Sequence, residues 1–156
     1  EAYQAIVYNK AALVLHLLKD YVGEDLFSTG IQKFFSRNKY TPASTAEFQE
    51  VFHSISGLDL ESFFQNWFSS YKLPRVRIQK SVQETAEGYL LRLFLEQESP
   101  VFVFPLWVEW EEDGQKIRQK VLVNKERDQF LFQRRVKPKK IKINPDNAVP
   151  GKFRIR

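Results

Sequence analysis

The stretch LDLESFFQNWFSSYKLPRVRIQKSV, residues 58–82, changes its hydrophobic period at one proline. Before Pro74, Leu60, Phe63, Phe64, Trp67 and Phe68 recur at three- and four-residue intervals, the spacing of one helix face. After it, Val76 and Ile78 alternate with Arg75, Arg77 and Gln79, as in a strand with one face covered. Each period persists outward in its own direction. Consecutive helices followed by consecutive strands predict an α+β chain in two parts, 1–73 and 74–156, with Leu73-Pro74 as a short joint.

Toward the amino end, the third helix is announced by Ser44-Thr45-Ala46-Glu47, which has the form of a capping box and should turn Phe48, Val51, Phe52 and Ile55 inward. Asp59 is placed to cap the fourth helix. A first helix over 2–22 presents Ile6, Leu13, Leu17 and Val14, Leu18, Tyr21, and stops at Gly23. Glu24 and Asp25 suit the positive end of a second helix reaching about residue 38, with Leu26, Phe27, Ile31, Phe34 and Phe35 as its buried stripe. Four such helices predict an antiparallel bundle. Toward the carboxyl end, strands are expected over 75–80, 89–96, 101–111, 116–124, 129–136, 139–144 and 152–156. Turns fall at Gly88, Asp113-Gly114 and Asp128, and seven strands at this spacing predict an antiparallel β-sandwich.

Composition narrows the chemistry. With no cysteine there is neither a disulfide framework nor a thiolate metal site, and His16 and His53 lie too far apart in sequence to share one helical face as metal ligands. No apolar run is long enough to span a membrane, and no leader-like segment directs export. The chain lacks any methionine and reads as a piece of a longer protein, so no compartment can be assigned. Its charge is uneven, −2 up to Lys72 and +7 from Leu73 onward. In RRVKPKKIKI, residues 134–143, apolar Val136, Ile141 and Ile143 interrupt the cations, as in a solvated basic strand. Without a recognition helix or an aromatic string, no specific nucleic-acid partner is expected. The carboxylates Glu109, Glu111, Glu112 and Asp113 read as solvated residues at a strand end, and both histidines as structural residues.

Residues 8–74 hold an ordered series: Tyr8-x-Lys10 before small residues, an apolar helix, Gly23-Glu24, Phe27, Tyr40, Phe48, Ser56-Gly57-x-Asp59-Leu60, Phe63-Phe64, Trp67 and Leu73-Pro74. This series resembles the aminopeptidase N-like zinc metallopeptidases, the gluzincins, from their catalytic tyrosine to the end of the catalytic domain. INPDNAVPGKFRI, residues 143–155, is similar to the segment where the family's β-sandwich ends. The resemblance implies that 1–73 is the helical half of a thermolysin-like catalytic domain and 74–156 the sandwich that follows. It also implies that the parent removes amino-terminal residues from peptides.

By the same resemblance Tyr8 is the catalytic residue, its hydroxyl donating a hydrogen bond to the oxyanion formed from the scissile carbonyl. A phenol suits the task, because its ordinary pKa of about 10 keeps it a neutral donor. The family's HExxH helix, later glutamate ligand and amine-recognition strand are not in these residues. Zinc is therefore expected in the full-length parent and none in this chain, whose partners would be peptide substrate and the upstream catalytic half. Where the family has glycine, this chain has Ala11, one methyl larger. The alternative is a non-catalytic scaffold or protein-binding module of the same fold that uses the basic sandwich. Intact or degenerate zinc ligands upstream would separate the two.

Overall fold

Gly23 sits where two helices meet, at φ 93°, in the left-handed region that a side chain disfavours. Its N–H donates to the Lys19 carbonyl and its own carbonyl accepts from Phe27, so one residue closes α1 (Ala2–Val22) and opens α2 (Glu24–Arg37). The computed structural model describes the backbone of residues 2–156 and the side chains of residues 10–156. Two compact units, Glu1–Tyr71 and Lys72–Arg156, divide the chain.

In the first unit, α1 turns Val14, Leu17, Leu18 and Val22 inward, whereas Leu13 is 40% exposed. The expected stripe of α2 narrows. Phe27 and Phe34 meet Phe52 and Phe48 of α3 (Thr45–Ser56) at ring distances of 5.8 and 5.0 Å, and Phe35 is left 68% exposed. Adjacent residues on a helix point about 100° apart, so Phe34 and Phe35 cannot both face α3. At the start of α3 the capping box is complete: Ser44 Oγ accepts from the Glu47 N–H, and Glu47 accepts from the Ser44 N–H.

The fourth helix is not regular. α4 (Glu61–Phe64) lasts one turn and widens into a π-helical turn, Gln65–Ser69. The wider turn sets residues four apart nearly in line; Phe64 and Phe68 stack at 4.9 Å and Trp67 stays 1% exposed. Asp59 caps the start from just outside, accepting the Glu61 N–H at 3.0 Å.

The second unit contains β1 (Arg75–Thr85), β2 (Gly88–Gln97), β3 (Phe104–Glu112), β4 (Gln115–Val123), β5 (Arg127–Arg134), β6 (Lys139–Ile143) and β7 (Lys152–Ile155). One sheet has the order β5-β2-β1-β7 and the other β4-β3-β6. All pairings are antiparallel except β1 with β7, which is parallel and corrects the expectation of a wholly antiparallel arrangement. The connection explains it: β7 does not follow its neighbour through a hairpin but arrives after five intervening strands. β1 runs five residues past its expected end. The polar tail 81–85 pairs fully with β2, because backbone ladder bonds do not depend on side-chain polarity.

Polar residues lock the connections. The Asp113-Gly114 turn has φ 48° and 77°, the doubly positive pair a tight hairpin requires. Asp128 accepts from the N–H groups of Asn124 and Lys125 at 3.0 Å. Buried Gln97 reaches the backbone of Phe102 and Lys125, and buried Asn144 clamps both backbone groups of Val149. Rings from the two sheets touch at Phe104–Phe153, 6.2 Å, and Trp110–Phe132, 5.3 Å.

Gly30 is the buried residue of α2, and a Cβ there would lie 2.5 Å from Cε1 and 2.6 Å from Cζ of Phe52. Phe52 is fully buried and ringed by Phe27 and Phe48, so it cannot swing away. Gly30→Ala should therefore lower the stability of the chain by about 1–3 kcal/mol, despite the higher helix propensity of alanine. Urea denaturation followed by far-UV circular dichroism measures it; unchanged or increased stability would show that the two helices can part freely.

Candidate functional site

The first candidate lies along α1. Tyr8 is within the helix, but its side chain lies outside the described residues, and so do its contacts. The helix surface just beyond it is described. Ala11 and Leu15, three and seven residues after position 8 and so on the same side of the helix, line an apolar hollow of about 230 Å³ with Phe34, Ala43, Phe48 and Phe68. Ala11 is exposed there, so its extra methyl meets open space rather than packed atoms.

Lys10 has a structural task that sequence left unassigned. Its ammonium donates to the carbonyl of Ser70, sixty residues away at the end of the π-helical turn. The middle of α1 is thereby tied to the end of the helical unit. The Y-x-K spacing marked this lysine, but only the π-helical turn shows what it bonds. Tyr21, on the opposite end of α1, packs on Phe63 at 5.6 Å. Burial, and then the charge of Asp59, pushes its phenol above the ordinary value, so it stays protonated.

The two histidines do not come together. His16 is exposed, 4.0 Å from Asp20, and His53 Nδ1 bonds the Leu58 carbonyl at 2.9 Å. Among the described residues no three His, Asp or Glu side chains form a group able to hold a metal ion. Among the described residues, no helix is long and apolar enough to cross a membrane.

The carboxylates of β3 depart from the expectation of solvation. Glu109 is 7% exposed and 3.4 Å from Lys116, and Glu111 pairs with Lys140 at 2.7 Å. Glu112 is more tightly held: Arg134 Nε and Nη2 donate to its two oxygens at 2.6 and 2.9 Å, and Trp110 Nε1 donates at 2.6 Å. Cations from β4 and β6 of the same sheet and from β5 of the other converge on these carboxylates, a convergence invisible to sequence spacing. Part of the basic run 134–143 is thus neutralised within the protein.

Residues 1–67 match the family model of the Peptidase family M1 domain. The chain is 26% identical to leucyl aminopeptidase of Saccharolobus solfataricus over 92% of its length, and 30% identical to aminopeptidase N of Escherichia coli K12 over 58%. It spans 18% and 10% of those two relatives. In fold it is similar to the crystal structure of Legionella pneumophila aminopeptidase A in complex with aspartic acid, with a TM-score of 0.79 over 95% of this chain and 18% of that one, at 19% identity. The helices and sheets thus follow the fold of a peptidase part. The chain is similar to the M1 aminopeptidases, its residues 1–67 to their peptidase domain.

Hydrogen bonds from Arg134 and Trp110, outweighing desolvation, hold the Glu112 carboxyl below the usual carboxylate range. Its stabilisation is therefore complete above about pH 4.3, where an unfolded glutamate is ionised, and is lost as pH falls through the lower folded value. Glu112→Ala should cost on the order of 2–3 kcal/mol at neutral pH, since it strands Arg134 and the Trp110 N–H. Denaturation curves of both proteins at neutral and acid pH test this: the gap should shrink in acid, and a pH-independent gap would mean that packing alone is lost.

Proposed function

We propose that this chain is the part of a zinc-dependent aminopeptidase that runs from the catalytic tyrosine to the end of the helical layer, together with the β-domain that follows. The match of residues 1–67 to the M1 peptidase domain carries the reading. The relatives' lengths support it, because each is at least five times the span matched. On this reading 1–73 is a helical bundle belonging to the catalytic domain. Residues 74–156 are a sandwich whose two sheets meet through Phe104–Phe153 and Trp110–Phe132.

The parent's reaction is removal of amino-terminal residues from peptides. Zinc, in the parent, supplies Lewis-acid chemistry from ligands outside residues 1–156. The task of this chain is narrower. Tyr8, a neutral phenol at working pH, donates a hydrogen bond to the oxygen of the scissile carbonyl as negative charge develops on it. A donor aimed at that charge lowers the barrier more than it tightens substrate binding. Lys10, bonded to the Ser70 carbonyl, anchors the turn of α1 from which Tyr8 arises.

Two outcomes are expected. In the full-length parent, Tyr8→Phe should lower kcat about a hundred- to a thousandfold with little change in KM or melting temperature. An unchanged kcat would remove Tyr8 from the mechanism. The 156-residue chain alone should neither retain zinc after gel filtration, as measured by elemental analysis, nor hydrolyse an aminoacyl anilide with zinc added; turnover would show that it holds a complete site.

A further inference from the structure

In β1, Val76 and Ile78 are buried, and Arg75, Arg77 and Gln79 lie on the opposite, exposed face. Parallel pairing sets Arg75 beside Lys152 and Arg77 beside Arg154 of β7. Neighbouring strands are about 4.8 Å apart, and like charges directly opposite destabilise a sheet. The available carboxylates lie on the other side of β1. Glu98 is 3.7 Å from Arg75 and 3.8 Å from Arg77, and Glu96 is 3.9 Å from Arg77 and 3.1 Å from Arg127. Among the described residues, no carboxylate lies within ion-pair distance of Lys152 or Arg154.

Two hollows open on this face. One, of about 60 Å³, is lined by Arg75, Val76, Arg77, Glu98, Lys152 and Arg154. The other, of about 90 Å³, lies among Arg77, Phe94, Glu96, Arg154 and Arg156, with Arg77 and Arg154 shared by both. A site needs about 10–15 Å³ of such volume to hold one water, so each hollow has room for a group of carboxylate size.

We propose that this sheet face is a docking surface for an extended acidic peptide segment, with carboxylates at alternate positions entering the two hollows between β1 and β7. Successive hollows one pleat apart match the two-residue period of an extended chain. Guanidinium forks bind carboxylates in the plane, as Arg127 already binds Glu96 through Nε and Nη2 at 3.2 and 3.1 Å. An added carboxylate beside β7 supplies Lys152 and Arg154 with the counter-charge that Glu96 and Glu98 give to β1. Glu98 lines the first hollow and Glu96 the second, and together they disfavour a continuous polyphosphate backbone. Phe94 is half-buried and offers no stacking platform for bases.

The test is fluorescence anisotropy of the 156-residue chain with a dye-labelled peptide of alternating glutamate and serine. A glutamine-for-glutamate peptide and a single-stranded oligonucleotide serve as competitors. The glutamate peptide should bind and weaken with salt. The double variant Lys152→Gln, Arg154→Gln should reduce affinity by about tenfold or more, and Glu98→Gln should increase it. Lys139→Gln with Lys142→Gln, on β6, should leave affinity unchanged. Equal binding of the glutamine peptide, equal loss in the β6 variant, or an oligonucleotide that binds more tightly through Arg154 would overturn the proposal. If the double variant does not fold, the direction of change in Glu98→Gln decides.

Discussion

The helical unit depends on the pair Phe48 and Phe52, one turn apart on α3 and 4.8 Å from each other. Phe52 takes Phe27 of α2, and Phe48 takes Phe34 of α2 and Phe64 of α4, so two rings join three helices. Both are buried, and the close approach they need exists because residue 30 has no side chain. The capping box at Ser44 fixes where α3 begins, and so fixes which residues of α3 face inward. An aromatic core of this kind tolerates little change of shape, since each ring is both a wall and a filler.

Around that core, the first helix is held at points remote in sequence. α1 buries Val14, Leu17, Leu18 and Val22, and its middle is tied to the Ser70 carbonyl through Lys10. That carbonyl follows a π-helical turn, in which the normal bonding ladder is broken and backbone acceptors become available.

The second unit treats charge in two different ways. On β3, carboxylates are matched by cations from three neighbouring strands, and Glu112 is covered and triply bonded. Such pairing orders a strand edge and confers no reactivity. On the β1–β7 pair, cations are set against cations, and the compensating carboxylates, Glu96 of β2 and Glu98 just after it, pair with β1.

Much of the architecture was legible because local rules and global packing agree. The period switch at Pro74, the capping box, Gly23 and Asp113-Gly114 each act within a few residues, and each stands where the periodicity put it. The family resemblance was legible too, being an order of residue types. What could not be read were effects that join distant residues. These are the exposure of Phe35, the π-helical turn, the Lys10–Ser70 bond, the parallel placement of β7 and the cation partners of Glu109 and Glu112. Sequence by itself determined where helix gives way to strand, since hydrophobic period is a property of neighbours. Only tertiary structure decided which charges are paired and which are left facing one another, because that depends on strand order, and strand order is set by long-range contacts that no local spacing encodes.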